Sequence, residues 1–536
     1  MQRRRPNVLV IMTDEERYPP IYETDAIRRF RAAELPGQQA LRARGCEFHR
    51  HHTASSACVP SRATLFTGHY PTLHGVRATD GAAKAANDPN MFWLEPNTVP
   101  TMGHYFRAAG YRTYYRGKWH VSHADLVAPD TRAPIASSDD DGAPIAENTA
   151  LYRAAERLEP LGFRGWVGPD PHGSARANCG KLRDPIFGDQ LGALFDRLEA
   201  SDDDAPWLTV ASFVNPHDIV LFGLLWASWG FEFDDPSVPE IAEPPTQDES
   251  LRTKPSCQAD YVEKYREIFL PQPQLPRYRR FYYYLHKLVD LQVARVLRRL
   301  DASRFRDDTI VVYTSDHGEM LGAHGGMHQK WHNAYDETLR VPLLFAGPGV
   351  PAGARVDHLS SHVDLLPTLL GLAGLEAEPL RRTLATSHSE AQPLVGRDLS
   401  ALARGGSLAD APVYFMTEDE VSEGLEQTTV LGRAYEAVEE PAKVEAVLAR
   451  LDVGEGPRLW KYARAYRRSQ VGDPADASRL PERCEEELYD LEADPLETEN
   501  LARLGHRSRA SRAAEDQLSR LITEMRATRA IHPRLR

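Results

Sequence analysis

The side chains able to do chemistry sit in short polar clusters, each placed directly after an apolar run. Asp14 and Glu15 follow Asn7-Val8-Leu9-Val10-Ile11-Met12, His217 follows Trp207 to Val214, and Asp316 and His317 follow Thr309 to Thr314. Three carboxylates and an imidazole, if gathered at one place, make an oxygen and nitrogen donor set suited to a divalent cation. Alone, each acidic pair reads as a turn former. Three such ends in one chain point to a shared site. A further stretch, Cys58-Val59-Pro60-Ser61-Arg62-Ala63-Thr64-Leu65-Phe66-Thr67-Gly68, carries a lone cysteine with Pro, Ser and Arg at fixed spacing. Taken singly, Cys58 reads as a small buried hydrophobe and Pro60 as the opening residue of a helix. The full eleven-residue pattern is too particular for that reading to stand by itself.

The elements that must position these groups are legible in outline. The three apolar, β-branched runs read as strands buried on both faces of a parallel sheet. In open α/β sheets, ligands bind outside the carboxyl ends of the strands, where these clusters fall. Thr101 to Ala109, closed by Gly110, has amphipathic helical spacing. Tyr282 to Leu300 is a long helix with Leu285, Leu288, Val289, Val293, Val296 and Leu297 along one stripe. Strand and helix alternation predicts an α/β fold with a large, mostly parallel central sheet flanked by helices. From about Ala411 the pattern changes to a smaller α+β unit, with Val413 to Met416 a candidate strand and Ala510 to Arg526 a helix. The expected division is residues 1–410 and 411–536. Asp139 to Asp141 and Asp202 to Asp204 read as solvated loops, and His324, His328 and His332 as loop residues.

With these residues in view, the chain resembles the type I, formylglycine-dependent sulfatases of the alkaline phosphatase superfamily. The Cys58 stretch is similar to the site at which that family converts a cysteine to formylglycine, whose aldehyde hydrate is the nucleophile. The resemblance implies an alkaline-phosphatase-like fold and a metal held by Asp14, Glu15, Cys58, Asp316 and His317. Gly117-Lys118-Trp119-His120 resembles the segment whose Lys contacts the sulfuryl group and whose His sits beside the hydrate. His217 matches the histidine that protonates the leaving oxygen, and Lys330 the second substrate-binding lysine. Arg62 matches the arginine that holds the formylglycine. Glu487 to Leu491, Asp494-Pro495 and Glu499-Asn500-Leu501 resemble the closing segment of many sulfatases. Two departures stand out: the first pair is Asp-Glu, and His317 replaces a frequent Asn. Imidazole suits manganese or zinc better than calcium, so Mn²⁺ is expected first and Ca²⁺ second. His317 also turns the resemblance toward phosphonate monoester hydrolases and choline sulfatases.

Composition bounds the remainder. The 536 residues carry a net charge of −13, which argues against nucleic acid as a partner but not against a small anion met by local cations. Five scattered cysteines make no disulfide framework. Val8 to Met12 is too short for a signal peptide and Ile219 to Trp229 too short to span a bilayer, so a cytoplasmic protein without a membrane partner is expected. A maturation enzyme acting on Cys58 and homo-oligomerisation are further expectations. Leu221, Phe222, Leu224, Leu225, Trp226 and Trp229 are candidates for the wall of a leaving-group pocket. The leading expectation is hydrolysis of an aryl or alkyl sulfate monoester. Two others stand beside it: phosphonate monoester or phosphodiester hydrolysis by the same site, and a catalytically silent binding protein on this fold.

Overall fold

The computed structural model describes residues 5–269, 276–429, 432–454, 456–467, 484–503, 505 and 507–533, with the side chain of Leu224 outside the described set. Eleven strands are described: β1 (Asn7–Asp14), β2 (Gly45–His52), β3 (Arg112–Gly117), β4 (Trp207–Pro216), β5 (Thr309–Ser315), β6 (Leu343–Ala346), β7 (Ala354–Ser361), β8 (Val413–Thr417), β9 (Lys443–Asp452), β10 (Pro457–Tyr466) and β11 (Glu485–Asp490). Seven form one sheet in the order β3-β4-β1-β5-β6-β2-β7. All its pairings are parallel except those of β6, which runs antiparallel to both neighbours. The other four make an antiparallel sheet, β11-β10-β9-β8.

The apolar runs bury both faces because their side chains alternate. On β1, Val8, Val10 and Met12 enter one core, while Leu9 and Ile11 enter the opposite one. Strand β5 divides likewise, with Ile310 and Val312 on the first side and Val311 and Tyr313 on the second. The first core is closed by α1 (Cys58–Thr67) and α2 (Met102–Ala108), and the second by α3 (Gly180–Glu199) and α5 (Pro276–Asp301). Helix α4 (Ser256–Ile268) and the C-terminal α6 (Arg509–Arg529) pack against the smaller sheet and its surroundings. Helix α5 starts earlier than its apolar stripe suggests, because Pro276 opens it and Tyr278 and Phe281 bury in its first turns.

Register brings the polar clusters together. Met12 pairs with both Ser212 and Thr314, and Gly117 pairs with Ser212, so β3, β4, β1 and β5 end at one edge. Gly117 has φ +108°, and a Cβ there would lie 1.7 Å from the carbonyl oxygen of Ser212. That close approach requires glycine at the turn leading into Lys118.

Candidate active site

Helix α1 begins at Cys58, and Pro60 sits in its first turn, where an N–H has no intrahelical partner to lose. Its other end is closed by Gly68 at φ 70°, whose N–H donates to Thr64. Phe66 anchors the helix among Tyr115, Trp119 and Phe163, with ring centroids 5.2 to 6.0 Å away. The cysteine is thereby fixed, fully buried, over the edge where the strands end.

There the Cys58 sulfur lies 3.2 Å from Nε2 of His317 and 3.7 Å from Oδ1 of Asp14. Asp14, Cys58, Asp316 and His317 place one donor atom each within 4.8 Å of one another. Nδ1 of His317 is 2.9 Å from the carbonyl of Gly318. A carbonyl only accepts, so Nδ1 carries the proton and the Nε2 lone pair faces the group. Arg62 ties the carboxylates in place: Nε donates to Asp316 Oδ2 at 2.8 Å and NH2 to Asp14 Oδ2 at 2.9 Å. Its NH1 is spent on the Lys118 carbonyl and Ser212. Arg62 thus sits behind the donor group as a clamp. Lys118 completes this layer, its ammonium 2.7 Å from Asp14 Oδ2.

Charge follows from this packing. Burial alone would raise the Asp14 carboxyl, but Lys118, His217 and Arg62 hold it well below the usual carboxylate range. Burial and the Asp14 charge push the Cys58 thiol well above its ordinary value, which makes an unconverted thiol here a poor nucleophile. The four-donor group, two carboxylates with an imidazole and position 58, fits a divalent cation. Asp14 leaves Oδ1 turned toward Cys58 and His317 while its other oxygen meets the cations.

Glu15 takes a different place. It groups with Asp14 and His217, its Oε2 is 3.3 Å from Lys330, and its carboxyl shares a hydrogen bond with that of Glu319. Burial raises its carboxyl well above the usual range. Lys330 also lies over the Trp331 ring at 4.7 Å and donates to Gln329. Against the burial that opposes its charge, Cys58 and Glu15 hold its ammonium above the ordinary value.

A cavity of about 370 Å³ opens in front of this layer. Cys58, His120, His217 and Lys330 line it together, so four of the residues singled out by sequence face one space. Its apolar wall includes Leu221, Phe222, Leu225, Phe269, Trp331 and Val421. Three members of the expected wall are therefore present. Trp226 is turned instead into a core with Phe281, 4.7 Å between centroids, and Trp229 packs on Phe231. The short helix Leu224–Ser228 gives its two sides different partners, and Leu224 lies outside the described side chains.

His217 is held by a reciprocal latch. Asp184 on α3 accepts from the backbone of Val214 and Asn215, and Asp218 accepts from Gly180 and Lys181 at the start of α3. Burial, then Lys118, push the His217 imidazole well below its usual value. The structure also adds residues that sequence reasoning missed. Asp80 bonds His120, Asp170 accepts from the backbone of Trp119 and His120, and Asp419 joins Thr79 to Trp331. Thr79 in turn accepts from the N–H of Val59. These arrive on loops, with no periodicity to mark them; only the Asp-Gly step after Thr79 hints at a turn. His328 and His332 lie outside helices and strands, as expected, His324 falls in the short turn Ala323–Gly326, and all three are buried.

The model for the sulfatase family matches residues 6–375, and the chain belongs to that family, within the alkaline phosphatase superfamily. It is a sulfatase-family enzyme, in a family whose members typically use a metal and formylglycine. It is 27% identical over 550 residues to a choline-sulfatase of Rhizobium meliloti (strain 1021), covering 99% of this chain and 88% of that one. An uncharacterized sulfatase of Escherichia coli (strain K12) is 29% identical over 396 residues, 70% of this chain and 69% of the other. Among solved structures, the phosphonate monoester hydrolase from Silicibacter pomeroyi superposes with a TM-score of 0.60 at 21% identity, covering 97% and 94% of the two chains. A 2-O GAG sulfatase gives 0.59 at 22%, covering 98% and 91%. These structural likenesses bear out the expected fold. No helix among the described residues is long and apolar enough to cross a membrane.

Proposed function

We propose that the chain hydrolyses sulfate monoesters of aryl or apolar alkyl alcohols, with residue 58 as formylglycine and one divalent metal, Mn²⁺ before Ca²⁺. The observation that carries this reading is Cys58 set against His317 and Asp14 at the mouth of a cavity it shares with His120, His217 and Lys330. In this reading Asp14, position 58, Asp316 and His317 hold the metal, and Glu15 borders it. The hydrate of formylglycine supplies a nucleophilic hydroxyl and a second hydroxyl that lets sulfate leave without attack by water. The metal supplies positive charge for the sulfuryl oxygens.

The chain's own residues do the rest. Lys118 and Lys330 stabilise charge gathering on the sulfuryl oxygens, and Arg62 keeps both metal carboxylates aimed. His217, kept neutral by burial, takes the proton that the attacking hydroxyl gives up and passes it to the departing alcohol. His120 takes the proton of the second hydroxyl. Leu221, Phe222, Leu225 and Phe269 offer the leaving group an apolar wall, which favours an aryl or alkyl group over a sugar. Residues 1–410 form the catalytic part in this account, and 411–536 a smaller part closing the cavity through Val421 and Thr428.

His317 favours one competing reading, hydrolysis of phosphonate monoesters or phosphodiesters at the same site. Rates on p-nitrophenyl sulfate and p-nitrophenyl phenylphosphonate separate the two. The sulfate is expected to have the higher kcat/KM; a phosphonate rate well above it would replace the sulfatase reading.

A further inference from the structure

Asp80 lies between two imidazoles. Its Oδ1 is 2.7 Å from Nε2 of His120, its Oδ2 is 3.3 Å from Nε2 of His172, and the two rings are 4.6 Å apart. Burial opposes ionisation of Asp80, but His172 and His120 hold its carboxyl below the usual range. An ionised carboxylate can only accept, so His120 carries its proton on Nε2 and leaves Nδ1 as a lone pair. Both Nδ1 atoms are buried and without a partner among the described residues. Burial pushes His172 down to about 4, so it stays neutral and adds no second positive charge. Both rings border the 370 Å³ cavity that holds Cys58, and both also border a second cavity of about 520 Å³. The charged and titratable groups lining the second cavity with His120 are Asp80, His172, Asp170, Asp125, His123 and Arg132, with Lys118 two residues earlier in the chain.

We propose that Asp80 and His172 are positioning residues that make Nδ1 of His120 the base for sulfate release. The inference rests on the reaction proposed above. The proton moves from the remaining hydroxyl at position 58 to Nδ1 of His120. The O–H electrons close the aldehyde C=O, the C–O bond to sulfate breaks, and sulfate leaves with that pair. Nε2–H stays on His120, and the Asp80 charge balances the imidazolium until the proton passes to water. Asp80 does for His120 what a buried carboxylate does for any catalytic imidazole: it selects the tautomer and steadies the charged form.

The test combines kinetics with a readout on protein whose Cys58 is left unconverted. In ¹⁵N-histidine-labelled protein, the His120 resonances, assigned by their loss in His120→Gln, should report an Nε2–H tautomer that becomes mixed in Asp80→Asn. In converted enzyme, Asp80→Asn should lower kcat on the order of 10²-fold, within the range of a lost general base. The pre-steady-state burst of leaving alcohol should survive. His172→Gln should give a smaller loss in the same direction, and stands in if Asp80→Asn fails to fold. An unchanged tautomer, or a burst lost together with turnover, would overturn the assignment. So would a Zn²⁺ ion held by wild type in addition to the one at position 58 and absent from Asp80→Asn, which would make the cluster a cation site. Loss of all activity toward sulfate esters in wild type, with the tautomer as stated, would instead sink the underlying reaction alone.

Discussion

The sulfur of Cys58 lies 3.2 Å from Nε2 of His317, the imidazole nitrogen left free by the bond from Nδ1 to the Gly318 carbonyl. The residue proposed for conversion and a residue replacing a frequent Asn therefore meet at one point. That contact joins the question of the nucleophile to the question of the metal.

Metal preference follows from it. Dialysis against a chelator should remove activity, and Mn²⁺ should restore it better than Ca²⁺. In His317→Asn the order should reverse, with Mn²⁺ affinity falling by roughly 10- to 100-fold, as loss of a ligand or its support commonly does. Equal metal content and the same preference in both proteins, read by elemental analysis, would remove His317 from the ligand set.

His217 should matter most where the leaving alcohol is poor. His217→Asn is expected to lower kcat/KM for an alkyl or phenyl sulfate by on the order of 10²–10⁴-fold, the usual worth of general acid catalysis. For p-nitrophenyl sulfate, whose leaving group needs little protonation, the loss should stay under about tenfold. Equal losses on both substrates would deny His217 the role of acid.

The apolar wall gives a binding prediction. Phe222→Ala or Leu225→Ala removes part of a half-buried contact, worth roughly 1 kcal/mol, or about a fivefold rise in KM for aryl sulfates. Inhibition by inorganic sulfate, which has no apolar group to place there, should not move. A change in both would mean that the substitutions disturb the anion site itself.

Stability should carry a pH signature remote from the site. His324 stacks on Tyr335 at 3.6 Å, and its Nδ1 is 2.8 Å from Glu249. Although burial opposes its charge, bonds with Glu249 and Glu337 hold the imidazolium up to about 9. The folded value lies above the unfolded one of about 6.5, so this group's contribution is full below pH 6.5 and is lost as pH rises to about 9. Urea unfolding should show that decline in wild type and a flatter one in His324→Gln. Identical slopes between pH 6.5 and 9 would rule it out.

Much of this site could be read before any coordinates. Asp14, Asp316 and His317 are legible because a strand buried on both faces is an unmistakable apolar run, and the residues after it must lie at the sheet's edge. The Cys58 stretch is legible as a helix start with an unusual first residue. Asp80, His172 and Asp419 are not, because they reach the site on irregular loops. Asp80 meets a histidine 40 positions away and Asp419 meets Thr79 across 340, distances over which no local pattern carries information. Nor could the sequence distinguish Leu225 from Trp226, since a wall residue and a core residue have the same apolar character and differ only in which side of a short helix they occupy.

The most direct test of the account is the mass of the tryptic peptide running from His51 to Arg62, taken from protein made in its native host. The account predicts a mass lower by the conversion of the Cys58 thiol to an aldehyde, in step with sulfatase activity across preparations. A fully active preparation in which that peptide carries unmodified cysteine would contradict it.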